Sequence, residues 1–161
     1  MLILDIQPGR GDFLADTETL APDLDRPDVG VALDPEWEVT APQLPGPVIG
    51  HTAAAQINTV GRWLNNLTAE HRLPQKLLLI HQSTAEMIRN KAAVDGWYHL
   101  ATVFNVDGFG QWQAKVGDYH DLAADTRFRL GFKLFYHQDT PMYPPSAVLA
   151  LQPSPSIIEY E

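Results

Sequence analysis

The stretch Val29-Gly30-Val31-Ala32-Leu33-Asp34-Pro35-Glu36-Trp37 decides the fold. Read as a strand, period two places Val29, Val31 and Leu33 on one side and Gly30, Ala32, Asp34 and Glu36 on the other. One side is bulky, and the other starts small and ends acidic. The same grammar recurs upstream, where Leu2, Leu4 and Ile6 oppose Ile3, Asp5 and Gln7. It recurs again downstream, where Thr102, Phe104 and Val106 oppose Ala101, Val103, Asn105 and Asp107. A greasy face suited to covering helices, opposite a face whose polar groups gather at the carboxyl end, predicts a (β/α) barrel, because such barrels draw functional groups from the C-terminal ends of several strands. A doubly wound sheet also binds ligands at strand carboxyl ends, but it usually carries a glycine-rich phosphate loop. Neither GxGxxG nor GxxxxGK[ST] occurs here.

Outward from that stretch, strands are expected near Leu2–Gln7, Val29–Trp37, Lys76–Gln82, Leu100–Asp107, Leu130–Tyr136 and Ser156–Tyr160. Between Thr52 and Arg72, Ile57, Val60, Trp63, Leu64 and Leu67 recur at three- and four-residue steps, which predicts an amphipathic helix. A second helix is expected from Thr84 through Met87, Ile88 and Lys91, capped at Ser83 or Thr84, and weaker ones after Asp12, Gln111 and Ser146. The proline-rich stretches Pro42–Pro47 and Pro141–Pro155 read as rigid irregular loops. The fold expected is therefore α/β, a partial TIM-barrel-like domain of about six parallel strands spanning residues 1–161 as one unit. Six strands are two short of a closed barrel, so the reading expects two βα units to be missing at the amino end, and open sheet edges that are free to self-associate.

Composition narrows the function. Twenty acidic residues against eleven Lys and Arg give a net charge of −9, which opposes phosphate backbones and anionic lipid, so nucleic acid is not an expected partner. With no cysteine, disulfides, thiolate metal sites and thiol catalysis are excluded. The apolar runs are strand-sized and Met1 leads straight into Leu2-Ile3-Leu4, so neither a membrane span nor a signal peptide is visible. The chain itself therefore gives no compartment.

Asp34 and Glu36 are the candidate catalytic pair. On one strand face they would lie roughly 6–7 Å apart, where repulsion separates a proton donor from a charged partner, the division of labour that glycosidic cleavage requires. Glu36, with the longer reach, is the expected general acid and Asp34 the stabilising carboxylate. Trp37 offers a flat surface for a sugar ring. The competing view is a solvated strand end under a Trp lid. Asn105-Val106-Asp107-Gly108-Phe109-Gly110 closes another strand with two inward polar groups and glycines that admit a ligand, although Asp-Gly also marks ordinary turns. Asp5, Gln7, His81, Asn105, Asp107 and Tyr136 are assigned, with Trp37, to substrate binding. Lys133, inside an apolar strand, needs a carboxylate, and pairing with it is the structural alternative for Asp5; the competing role for Lys133 is a catalytic amine, for which no Schiff-base chemistry is otherwise indicated. No cofactor is implied. No metal site is assigned, since HxH and HExxH are absent; a metal-dependent hydrolase would need His81 or His137 to meet Asp107 or Asp139. GxSxG is absent too, which disfavours acyl hydrolysis.

Leu4-Asp5-Ile6-Gln7-Pro8-Gly9-Arg10, Val31-Ala32-Leu33-Asp34-Pro35-Glu36-Trp37, Val103-Phe104-Asn105-Val106-Asp107-Gly108-Phe109-Gly110 and Gly131-Phe132-Lys133-Leu134-Phe135-Tyr136 together resemble a little-characterised group of bacterial proteins with a TIM-barrel, glycoside-hydrolase-like domain. The resemblance spans nearly the whole chain. It implies relatives longer at the amino end and often exported or lipid-anchored, hence an extracytoplasmic location if the amino end is truncated. More distantly, the acid-x-acid pair is similar to the DxE of lysozyme-type and chitinase-type barrels, which places Asp34 and Glu36 at the paired-acid positions; the extended DxxDxDxE is not present. The function expected is a glycoside hydrolase-like activity on a polysaccharide. The alternatives are a non-catalytic carbohydrate-binding or scaffold remnant of a barrel, and the metal-dependent hydrolase.

Overall fold

The computed structural model describes residues 1–161. The strands are β1 (Leu2–Ile6), β2 (Val29–Leu33), β3 (Thr52–Ala53), β4 (Lys76–Gln82), β5 (Ile88–Arg89), β6 (Leu100–Val106), β7 (Arg129–Leu134) and β8 (Ile157–Tyr160). The helices are α1 (Phe13–Thr19), α2 (Ala21–Leu24), α3 (Ala54–Glu70), α4 (Trp112–Ala124) and α5 (Pro145–Leu149). Six strands form one sheet in the order β1-β2-β4-β6-β7-β8, and every pair is parallel. Each crossover steps to the next position in the same direction. A doubly wound sheet reverses direction at a switch point; this one does not, and it is a six-stranded parallel half-barrel of α/β class with β1 and β8 as its edges. β3 and β5 pair separately as a two-residue ribbon.

Alternation divides the two faces as the sequence predicts. Val31, Leu33, Leu78, Ile80, Phe104 and Phe132 belong to the large core cluster, packed with Phe13 of α1, Ile57, Val60 and Leu64 of α3, and Tyr119 and Leu122 of α4. The opposite face holds a cluster of only four buried residues, Ala32, Leu77, Leu79 and Val103, with Ile157 against it. Glycines let the neighbouring strand or side chain close in on that face: a Cβ on Gly30 would meet Leu77 at 3.0 Å, and one on Gly131 would meet Asn105 Oδ1 at 2.4 Å. The trough above it is lined by Ile3, Asp5, Ala32, Leu79, His81 and Glu159, among others, and has a volume of about 230 Å³.

α3 begins two residues inside the expected span. Gln56 folds back so that its side chain accepts from the Ala53 amide at 3.1 Å, satisfying a donor that the helix start would leave unpaired. Asp12 caps α1 by accepting from the Ala15 amide at 2.9 Å. Three expectations are corrected. The strand read as running to Trp37 ends at Leu33, because Pro35 has no amide to donate and Pro35–Trp37 turns as a 3-10 segment in which the Trp37 amide donates to Asp34 O. The strand read to Tyr136 ends at Leu134, where Phe135 turns onto Asp139. The helix expected from Thr84 does not form. Ala85–Met87 is a single 3-10 turn, Ile88–Arg89 pairs with Thr52–Ala53 as β5, and Asn90 takes a left-handed φ of 56° before a second 3-10 turn. Met87 and Ile88 are both buried, Ile88 through the strand pairing that takes the place of a helical turn.

Candidate active site

The carboxyl ends of β1, β2, β4 and β6 bring Asp5, Asp34, His81 and Asp107 to one rim. Asp34 directly follows β2, its amide still in the ladder to Ile6 O at 3.0 Å, and the 3-10 turn after it swings Glu36 back over the strand end. Asp107 directly follows β6, its amide donating to Gln82 O at 3.3 Å. One carboxylate oxygen from each of Asp34, Glu36 and Asp107 lies within 4.8 Å of the others. The pairing of Asp34 with Glu36 therefore persists, but through a turn rather than along a strand.

Burial separates the three acids. Asp34 is 3% and Asp107 5% exposed, while Glu36 is half-buried. Gln7 donates to Asp34 Oδ2 at 3.3 Å. His81, 2% exposed, lies with Nδ1 3.1 Å from Asp107 Oδ2 and Nε2 3.8 Å from Asp5 Oδ1. Asp34 Oδ1 and Asp107 Oδ1 are buried without a hydrogen-bond partner, an arrangement that normally attracts a ligand donor, an ion or a proton.

The protonation chemistry follows. Burial, then repulsion from Asp107 and Glu36, outweighs the attraction of His81 and raises Asp34 from 3.8 to about 7. Glu36 is also raised, by burial first and Asp107 second, with Lys133 and His81 opposing. Burial alone would depress His81, but its hydrogen bond to Asp107 and the charges of Asp107, Asp5 and Asp34 reverse that and hold the imidazole above its ordinary value.

A cavity of about 430 Å³ opens over this floor, within the range of roughly 300–1,000 Å³ usual for small-molecule clefts. Glu36 and Asp107 border it, Trp37 and Phe109 supply aromatic surface, and Val48 and Ile49 of the proline-rich loop form a wall. Arg10 anchors that loop by donating from Nε to Gln43 O at 3.0 Å and from Nη2 to Pro42 O at 3.2 Å. Gly46, at φ +94°, lies against the Trp37 ring where a Cβ would come 3.6 Å from Cζ3.

Several residues assigned to substrate binding sit elsewhere. Asn105 is wholly buried and donates to Glu159 Oε2 at 2.8 Å. His81 faces carboxylates and not the cavity. Asp5 and Gln7 are exposed and border β1's side of the rim, Asp5 in the trough. Tyr136 is 60% exposed and packs near Tyr160, outside the cavity lining. Lys133 pairs not with Asp5 but with Glu161 at 2.6 Å and Glu159 at 3.8 Å, because parallel pairing sets β8 beside β7 while β1 lies at the far edge. Of the expected histidine–carboxylate meetings, His81 does reach Asp107 at 3.1 Å, whereas His137 is exposed and Asp139 is engaged by Lys115.

The pairing of Lys115 with Asp139 is a contact that sequence spacing does not reveal. Lys115 Nζ, buried, donates to Asp139 Oδ2 at 2.8 Å, Gly108 O at 2.5 Å and Lys133 O at 2.9 Å, using all three protons. Asp139 in turn accepts from the Gly110 amide at 2.7 Å and the Phe135 amide at 2.9 Å. The node ties the loop carrying Asp107 and Phe109 to the end of β7. Its sequence signal was present: Lys115 falls on the stripe Trp112, Tyr119 and Leu122, where a cation is out of place.

No family model, curated protein or solved structure matches this chain, so the functional reading rests on the geometry.

Lys115→Met should lower stability by roughly 3–5 kcal/mol, since it strands a buried Asp139 charge; urea unfolding measures this, and a loss near zero would show that the node carries no structural load. Asp34 binds its proton more tightly in the folded than in the unfolded chain, so stability is fully present below its unfolded value and declines as pH rises towards about 7. Asp34→Asn should flatten that decline and raise Tm relative to wild type at about pH 8. Parallel Tm profiles for the two proteins would contradict the protonated assignment.

Proposed function

We propose that this protein is a glycoside hydrolase-like enzyme acting on a polysaccharide, built on a segment of a TIM-type (β/α) barrel. The observation that carries the reading is the convergence of Asp34, Glu36 and Asp107 from two strand ends, with Glu36 and Asp107 bordering an aromatic-walled cavity. The one-directional winding of the sheet, helices on one face and polar groups at the carboxyl rim support the barrel assignment.

Glu36 borders the cavity and its raised pKa favours the protonated form, which suits the general acid that protonates the departing glycosidic oxygen. Asp107 also borders the cavity, with the His81 imidazole Nδ1 3.1 Å from its Oδ2. It fits the nucleophile or the stabiliser of an oxocarbenium-like centre better than Asp34, which does not reach the cavity lining. Asp34, protonated up to about pH 7, lowers the negative charge that the trio carries below that pH. A separation within 4.8 Å lies just below the spacing of about 5–5.5 Å in enzymes that retain anomeric configuration and well short of the roughly 6.5–9.5 Å of inverting ones. Trp37 and Phe109 give faces on which pyranose rings stack.

A second reading is favoured by the same oxygens. Three carboxylates within 4.8 Å, two with buried partnerless atoms, offer an oxygen-only set of the kind that holds magnesium, calcium or manganese. This would make the protein a metal-dependent hydrolase through Asp34, Glu36 and Asp107.

A polysaccharide panel separates the readings. Glu36→Gln should reduce turnover about 10²- to 10⁴-fold, with the alkaline limb of the wild-type pH profile displaced upward from that of an ordinary glutamic acid, and activity should survive chelation. Loss of activity with chelator, restored by a divalent cation, would select the metal reading. Glycan binding without turnover would leave a carbohydrate-binding module, and no response to any glycan would end the proposal.

A further inference from the structure

The cavity over Glu36 and Asp107 does not end at its own wall. It shares Ser83, Thr84 and Asp118 with a second groove of about 310 Å³ that runs along α4. Asp118, Asp121 and Asp125 recur at steps of three and four, one face of that helix and its C-cap, and Glu86 stands in the same groove from the 3-10 turn after β4. Asp118 makes the junction: its Oδ2 lies 3.7 Å from where a Cβ on Gly108 would stand, next to Asp107.

No Lys, Arg or His lines either compartment. The cations nearby are already engaged, Lys115 by Asp139, Lys133 by Glu159 and Glu161, and Lys91 by Asp125 at 3.8 Å. Glu86, Asp118 and Asp121 are exposed and free of ion pairs. At the inner end the buried Asp107, bordering the cavity, keeps Oδ1 without a partner, an acceptor waiting for a donor from a ligand. Aromatic faces stand at the inner end and carboxylates along the outer one.

We infer that this continuous groove takes a polysaccharide bearing free amino groups, a de-N-acetylated hexosamine polymer, with its rings against Trp37 and Phe109 and its ammonium groups along Asp118, Asp121 and Glu86. The inference rests on the glycan reading above and names the substrate class for the same site. An ammonium on successive rings meets successive carboxylates, whereas a uronic acid polymer meets only like charge. An N-acetylated polymer brings no charge and leaves the outer carboxylates unused.

Calorimetric binding of the intact chain to a glucosamine oligomer, the N-acetylglucosamine oligomer of equal length, oligogalacturonate and oligolysine tests the assignment. An exposed ion pair contributes at most about fivefold in affinity. The glucosamine oligomer should therefore bind about tenfold or more tightly than its acetylated counterpart, with the advantage shrinking as salt rises. The double variant Glu86→Gln with Asp121→Asn, both outside the ring-binding cavity, should remove most of that advantage without changing affinity for the acetylated oligomer. Equal binding of the two oligomers, tighter binding of oligogalacturonate, or an advantage untouched by the double variant would overturn the inference. Oligolysine binding as tightly as the glucosamine oligomer would overturn its sugar component. The two layers are separable: a preference for the amino oligomer with turnover unaffected by Glu36→Gln removes the catalytic reading and keeps the groove, whereas Glu36-dependent cleavage of the acetylated oligomer alone does the reverse.

Discussion

Six parallel strands laid side by side in chain order leave all six carboxyl ends on one rim, and that shared direction is the constraint on which everything else depends. Residues 34 and 107 are far apart along the chain, yet each is the first residue past a strand, so the same register that pairs β2 with β4 and β4 with β6 brings them together. The helices, confined to the other face, bury the large apolar cluster and leave the rim to polar groups. Burying that cluster stabilises the fold at roughly 25 cal/mol for each Å² of apolar surface removed from water, which offsets the penalty of sinking carboxylates at the strand ends.

The rim is held in tension by charge. Asp34, Glu36 and Asp107 repel one another, and burial raises the penalty, yet His81 answers from below and Gln7 from the side. Two ion-paired lysines work at greater distance. Lys115 is buried with every proton used, so it fixes backbone and has no freedom to serve a ligand. Lys133 joins β7 to the end of β8 through Glu159 and Glu161. A cluster whose charges were merely structural would be expected to satisfy its own lone pairs. Here oxygens of Asp34 and Asp107 remain unsatisfied, in keeping with a site prepared for something from outside.

Much of the fold was legible because it depends on local rules. Period two in residues 29–33 and 100–107 announced which side chains share a face, and the 3.6-residue spacing of Ile57, Val60 and Leu64 announced α3. The errors fell where local rules compete. Pro35 could end a strand or sit at its edge, and only the turn hydrogen bond from Trp37 to Asp34 decided that it ends one. Thr84 to Lys91 carried helical spacing, but pairing of Ile88–Arg89 with Thr52–Ala53 prevailed. The candidate acids are legible as polar groups just past strand ends, although Glu36 reaches the rim through a 3-10 turn and not along a strand face; His81 and Asn105 lie on the face the alternation gives them but deeper than a ligand-binding role needs. Depth depends on what neighbours cover, and Gly131 lets Asn105 sink by offering no Cβ.

What the sequence determined by itself is the alternation: which residues face helices, which face the trough, and that acids cluster after strand ends, all consequences of backbone geometry repeated every two residues. What only the tertiary structure decided is partnership. Lys133 met Glu161 and not Asp5, Lys115 met Asp139, and Asp107 displaced Asp34 at the cavity wall. Those outcomes depend on strand order and on how far each turn carries a side chain, distances in space that no spacing along the chain encodes.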